Sequence, residues 1–245
     1  GQRKTAHLFA TVDLHDARFT YWFADVFNGQ TFWAFLKRLV ATYRGRKVFL
    51  VIDNAPCHNL PADGKQWLAD NRHRIEHAQV IHPDDIPRLG QLGVIASMEP
   101  PHAMEDKTWA EERVGPERIL GAYAWRSLRE SGAALTFNSD NPGSDHNIFY
   151  GLHSAITRQD KDSQPEGGWY PEQRMSSDEA VRGYTSWSAY ASFRENDTGV
   201  IDVGRWADLT VMDVDPFVLA DDSPSDILNG RILMTIANGE IVYER

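Results

Sequence analysis

Cysteine is almost absent: Cys57 is the only one in 245 residues. A single thiol excludes an internal disulfide and a thiolate metal cluster, and it fits a reducing, cytoplasmic setting. Apolar runs of the roughly 18 residues that span a bilayer are missing, so no membrane-spanning helix is expected. The opening Gly1-Gln2-Arg3-Lys4 does not resemble a signal peptide. Repeats and low-complexity tracts are lacking as well. Basic residues are fewer than acidic ones, 25 Lys and Arg against 35 Asp and Glu, for a net charge of -10. What remains is 42% hydrophobic and 24% charged, a globular composition that excludes disordered, collagenous and disulfide-stapled chains.

The charge is unevenly spread. Residues 1–71 carry 9 Lys/Arg and 6 Asp/Glu, a balance of +3, whereas residues 72–245 carry 16 and 29, a balance of -13. Such asymmetry points to two origins or two partners, although +3 over seventy residues also fits an ordinary solvated surface.

The pattern of the head is α/β. Residues 7–12 and 19–23 are rich in β-branched and aromatic side chains and are separated by a polar turn, as in a hairpin. From Thr31, Phe32, Phe35, Leu36, Leu39 and Val40 fall on one helical face. Residues 47–52 form an apolar run, as expected of a strand buried on both faces, and end at Asp53. A helix is expected from Asp63 to Asn71. In the body, strands are expected at residues 74–78, 94–98 and 134–137. Helices follow a cap near His82, at 123–130, and from the Ser176-Ser177-Asp178-Glu179 cap to about Ala191. Strand, polar loop and helix in succession make the rhythm of a parallel sheet or barrel. After Gly199 the helical pattern stops, and short strands are expected at 208–212, 232–237 and 240–243, with Asn238-Gly239 as a hairpin turn.

Polar residues at the C-terminal ends of parallel strands are where α/β proteins place chemistry. Here these are Asp53, His77, His102 and Asp140. On spacing alone, each serves equally as a turn or capping residue. Asp145-His146 and Asp202 read as turn residues, Met98, Trp109, Trp125, Trp187 and Trp206 as core or rim, and His7, His15, His73, His82 and His153 as structural.

The wording of the motifs is more specific. Residues 72–79 (RHRIEHAQ), Pro100-Pro101-His102-Ala103, residues 138–143 (NSDNPG), residues 167–174 (GGWYPEQR), residues 204–209 (GRWADL) and the terminal residues 237–245 (ANGEIVYER) closely resemble the amidohydrolase superfamily. The similar branch is that of N-substituted formamide deformylases. The resemblance runs over about residues 72–245. It implies a (β/α)8 barrel with a small β-sandwich and metal-assisted hydrolysis of amide- or formamide-type C–N bonds in a small molecule. His77 matches a metal-ligating histidine ending the sixth barrel strand, and Asp140 the eighth-strand aspartate that binds metal and takes a proton from the attacking water. His102 matches a seventh-strand histidine that contacts substrate. Zinc is the implied metal. The family's first-strand His-x-His pair, fourth-strand bridging residue and fifth-strand histidine have no counterpart here. A whole barrel takes roughly 250 residues, so the resemblance implies a partial barrel of the last three strands (72–198) and a C-terminal β-sandwich piece (199–245).

Residues 48–58 (VFLVIDNAPCH), with the preceding strands and helix, resemble the catalytic domain of mariner-like insertion-sequence transposases, over about residues 1–71. This implies an RNase H-like fragment in which Asp53 is one of three carboxylates that hold two Mg²⁺ ions, the other two lying outside the match. One carboxylate cannot organise two hard cations. The chain thus reads as a fusion near Asn71. The expected function is an amidohydrolase-like hydrolase, incomplete and weakly active or inactive alone. The alternatives are a transposase-derived DNA-binding fragment at residues 1–71, and a non-catalytic relic that folds only with a partner.

Overall fold

The computed structural model describes residues 7–12, 19–24, 26, 28–44 and 61–245. Asp53, Cys57 and the strand expected at 47–52 lie outside the described residues. Cα proximity divides the chain into two compact units, residues 1–70 and 71–245.

In the first unit β1 (His7–Val12) pairs antiparallel with β2 (Phe19–Ala24), His7 opposite Ala24. Helix α1 (Gly29–Thr42) begins at a capping box in which the Asn28 side chain accepts from Thr31 N–H and the Thr31 hydroxyl accepts from Asn28 N–H. Its buried face is Phe32, Trp33, Phe35 and Leu39. Val40, expected on that face, is 49% exposed, and Trp33 takes part of the apolar role instead. Helix α2 (Ala62–Asp70) is tied to α1 by a hydrogen bond of 2.6 Å from the Trp33 indole N–H to Asp63 Oδ2 and by Trp33–Trp67 packing at 5.5 Å.

The second unit opens with β3 (Arg74–Glu76), then a 3-10 turn and α3 (Ile86–Leu92), β4 (Ile95–Met98), α4 (Pro100–Asp106), α5 (Ala110–Arg118) and α6 (Trp125–Glu130), then β5 (Leu135–Phe137). The three strands form a parallel sheet in the order β3-β4-β5. Register makes the sheet two-faced, because side chains alternate along each strand. Ala96, Met98, Leu135 and Phe137 enter the apolar core with Trp125 and Leu128, while Glu76, Ser97 and Thr136, aligned across the strands, line a cavity. Four consecutive residues of β4 are buried, as expected of a central parallel strand.

Helix α7 (Ile148–Thr157) follows, buried from Phe149 to Thr157. Its apolar residues Ile148, Phe149, Leu152, Ala155 and Ile156 fall on one helical face, a 3.6-residue period that the sequence expectations passed over. The expected single helix after Ser176 is two, α8 (Ser177–Tyr184) and α9 (Ser186–Ala191), broken at Thr185 (φ -125°, ψ -94°); the Ser176–Glu179 capping box is present. The remaining strands β6 (Leu209–Met212), β7 (Ile232–Ala237) and β8 (Glu240–Glu244) form an antiparallel sheet in that order. Asn238 and Gly239 turn between the last two with φ of 50° and 82°. The expectation that helix stops at Gly199 is overturned. Helix α10 (Pro216–Asp222) lies between β6 and β7, and the Asp215 carboxylate caps it by accepting from Phe217 and Val218 N–H. Trp109 and Trp206 are 42% and 45% exposed, rim rather than core. No helix among the described residues is long and apolar enough to cross a membrane.

Candidate metal centre

Three strand ends meet at one place. His77 follows the last residue of β3, Glu99 the last of β4, and Asn138 and Asp140 lie just beyond β5. His77 and Ala78 have φ of 66° and 42°, and Asp140 has φ of 52°, so the chain turns left-handed where it leaves two of the three strands. For non-glycine residues this conformation costs about 1–3 kcal/mol and is tolerated where the surroundings hold it. What holds the first turn is a triangle of bonds. Gln79 Nε2 donates to Asp106 Oδ2 (2.7 Å) and to the Tyr123 hydroxyl (2.7 Å), which donates to Asp106 Oδ2 (2.6 Å). Burial, and then Asp106, push the Tyr123 phenol well above its ordinary range.

One ligand atom each of His77, His102 and Asp140 lies within 4.8 Å of the other two. His102 Nε2 is 3.8 Å from Asp140 Oδ2, and the two imidazoles stack nearly parallel, 5.5 Å between centroids at 11°. His102 sits in the first turn of α4 rather than on the strand, and the Pro100-Pro101 start of that helix aims it back over the strand ends. Two imidazoles and a carboxylate form the donor set of a catalytic zinc site. Tetrahedral bonds of about 2.0–2.1 Å would separate the ligand atoms by about 3.3 Å, so small side-chain shifts suffice. The residues fit such an ion.

Glu99 and Asn138 were not singled out by sequence reasoning, yet they complete the centre. The Glu99 side chain is 3% exposed; its Oε2 stands 3.2 Å from His77 Nδ1 and 3.6 Å from His102 Nδ1. Asn138 Nδ2 donates to Glu99 Oε1 (2.8 Å) and Ser97 Oγ (3.1 Å), and Asn138 Oδ1 accepts from Asp140 N–H (2.8 Å). Burial pushes the Glu99 carboxyl up, against the pull of Asn138 and the two imidazoles. The signal for Glu99 was its place directly after an apolar strand, the same signal that marked His77. An open cavity of about 430 Å³ is lined by His77, Glu99, Asn138 and Asp140 together with Glu76, Ser97 and Thr136. His153, read as structural, is fully buried with Nδ1 3.1 Å from the Pro224 carbonyl oxygen.

Residues 51–243 match the amidohydrolase family, and residues 1–79 match the DDE superfamily endonucleases. A putative amidohydrolase of Bacillus subtilis, YtcJ, is 30% identical over 177 residues, 72% of this chain and 33% of the relative. The N-substituted formamide deformylase of Arthrobacter pascens is 28% identical over 185 residues, 74% of this chain and 32% of the relative. Among solved structures, a metal-dependent hydrolase from Pyrococcus horikoshii aligns with TM-score 0.54 at 28% identity, covering 62% of this chain and 31% of that one. The chain therefore spans about a third of the length of the curated relatives it matches. With parallel strands whose ends bring together two histidines and an aspartate, the chain belongs to the amidohydrolase family, joined at its head to a DDE-type endonuclease segment.

Proposed function

We propose that residues 72–198 are the last three βα units of an amidohydrolase barrel, that 199–245 are part of its β-sandwich, and that His77, His102 and Asp140 hold one zinc ion for hydrolysis of amide- or formamide-type C–N bonds. The observation that carries this reading is the convergence of the three ligand atoms within 4.8 Å. Bound there, a divalent cation supplies charge that acidifies water and polarises a carbonyl oxygen. Asp140, at the mouth of the cavity with its side chain 44% exposed, accepts the proton from water at its carboxylate. Asn138 fixes the Asp140 backbone. His102, 15% exposed, walls the site and serves as the third ligand, beyond the substrate-contacting role its motif implies. Activity of this chain alone is weak or absent, since the counterparts of the family's remaining ligands are not in this sequence.

Zinc titration followed by elemental analysis is expected to find about one ion per chain, with binding lost in His77→Ala and Asp140→Asn. Binding that ignores both substitutions would sink the site. Assayed on N-formyl and N-acyl amines with added zinc, the chain is expected to turn over far below the ordinary range of about 1–10³ s⁻¹. Turnover within that range, abolished by Asp140→Asn, would overturn the reading of incompleteness.

A second reading concerns the head. The endonuclease match over residues 1–79 and the positive balance of residues 1–71 favour weak DNA contact there, with Asp53 as a remnant carboxylate. A gel shift that weakens steeply with salt supports it; no shift at low salt removes it.

A further inference from the structure

We infer that Glu99 is the positioning residue of the centre: its buried carboxylate keeps the protons of His77 and His102 on Nδ1, and so leaves their Nε2 lone pairs free for a cation. The inference rests on the metal reading above and adds a residue to it. Glu99 Oε2 faces both Nδ1 atoms, at 3.2 and 3.6 Å, in a site where the carboxylate is 3% exposed. A lone pair on Nδ1 would there confront a carboxylate lone pair without water between them. An N–H at Nδ1 turns the same contact into attraction, and the opposite ring nitrogen becomes the ligand. For His102 the opposite nitrogen is the one directed at Asp140, 3.8 Å from Oδ2.

The network also explains why an acid is needed at position 99 and an amide at 138. Asp140 N–H donates to Asn138 Oδ1, which leaves Asn138 only its NH₂ group to offer. That group donates to Glu99 Oε1 at 2.8 Å. A glutamine at position 99 would have to give its one carbonyl oxygen to Asn138 and turn its own NH₂ towards the imidazoles. Both rings would then be asked to accept at Nδ1, moving their protons to Nε2 and blocking the ligand atoms. Exchanging the two groups, with Glu99→Gln and Asn138→Asp together, conserves charge. It lets the new amide donate to the new carboxylate while its oxygen faces the rings, and the carboxylate still accepts from Asp140 N–H.

The test compares the wild type, Glu99→Gln and the double variant in the full chain. Long-range ¹H–¹⁵N spectra of the metal-free protein are expected to show Nδ1–H for both histidines in the wild type, Nε2–H in Glu99→Gln, and Nδ1–H again in the double variant. Zinc affinity is expected to fall about 10–100-fold in Glu99→Gln and to recover most of that loss in the double variant. Tautomers unmoved by Glu99→Gln, or a double variant no better than the single one, would overturn the inference. A saturated Co²⁺ spectrum that differs between wild type and Glu99→Gln would overturn it too, by making Glu99 a direct ligand. If Glu99→Gln does not fold, Glu99→Ala carries the tautomer comparison: loss of Nδ1–H from either ring supports the inference, and Nδ1–H kept in both overturns it. If the wild type binds no zinc, the proposed function fails, while the metal-free spectra still decide the role of Glu99.

Discussion

Two three-stranded sheets in this chain meet solvent differently, although the edge strand β3 of the parallel sheet is itself exposed at all three residues. In the parallel sheet, β4 and β5 are buried at every residue, with helices over one face and a polar cavity on the other. In the antiparallel sheet, β8 is exposed at all five residues and β7 is only half-buried. The first sheet thus carries the core and the candidate site, and the second is an attachment. Its link to the core runs through the segment around Ile227, which is fully buried, and through Gly230, where an added Cβ would collide with the Phe149 ring. The difference teaches where sequence change is costly. Parallel strands of three or four residues are held by what packs against them, whereas a hairpin is held by its own turn and ladder.

The largest expected effect lies beneath the parallel sheet. Trp125, 1% exposed, packs edge-on against Phe137 of β5 at 6.1 Å, and Arg158 stacks on its indole at 4.2 Å. Trp125→Ala is expected to lower the unfolding free energy by about 3–5 kcal/mol in urea titration. A loss under 1 kcal/mol would show that the helices are not what holds this sheet.

A smaller effect separates the sheets by pH. Arg72, just before β3, pairs with Glu195 through two bonds of 2.5 and 2.8 Å, and this hydrogen bonding holds the Glu195 carboxyl down at about 2. Between β6 and β7, Arg231 holds Asp213 below its ordinary range in the same way, through its backbone N–H first and its side chain second. A carboxyl depressed in the folded chain stabilises it above the ordinary pKa, here about 4.5 for Glu195. That contribution fades as pH falls through the folded value near 2. Glu195→Gln is therefore expected to lower Tm at pH 6 and to bring the variant and wild-type curves together by pH 2. Curves that stay apart by the same margin at both pH values would assign the effect to packing. The smallest effect belongs to β8: Val242→Thr, at a site 61% exposed, is expected to change stability by less than about 0.5 kcal/mol in the same titration. A loss above 1 kcal/mol would mean that the open sheet is covered in solution.

Much of the site was legible before the fold was seen, because strand ends are marked by an apolar run meeting a polar residue. That rule found His77, His102 and Asp140, along with Asp53, and the motif wording gave the first three their expected roles. It passed over Glu99, which stands in the same position after β4, since a glutamate before two prolines reads as an ordinary helix start. It passed over Asn138 because a hydrogen-bond partner 39 residues away leaves no local trace. The Ser176–Glu179 cap and the Asn238-Gly239 turn were readable since both are local chemistry. The Asp215-Pro216 start of α10 was equally local and went unused. The break at Thr185 was not readable; a Cβ at Gly183 would collide with the Phe137 ring, and Ser188 of α9 bonds Thr136 of β5 at 2.7 Å, contacts set only by packing.

By itself, the sequence determined the strands of both sheets, the Ser176–Glu179 cap, the Asn238-Gly239 turn, the two family segments and which residues are candidates to ligate a metal, all of which depend on neighbours within a few positions. The tertiary structure alone decided that His77, His102 and Asp140 share one place and that a buried carboxylate faces both imidazoles. Those relations arise between strands about 20 to 60 residues apart in sequence, and only parallel pairing with its register brings such strand ends together.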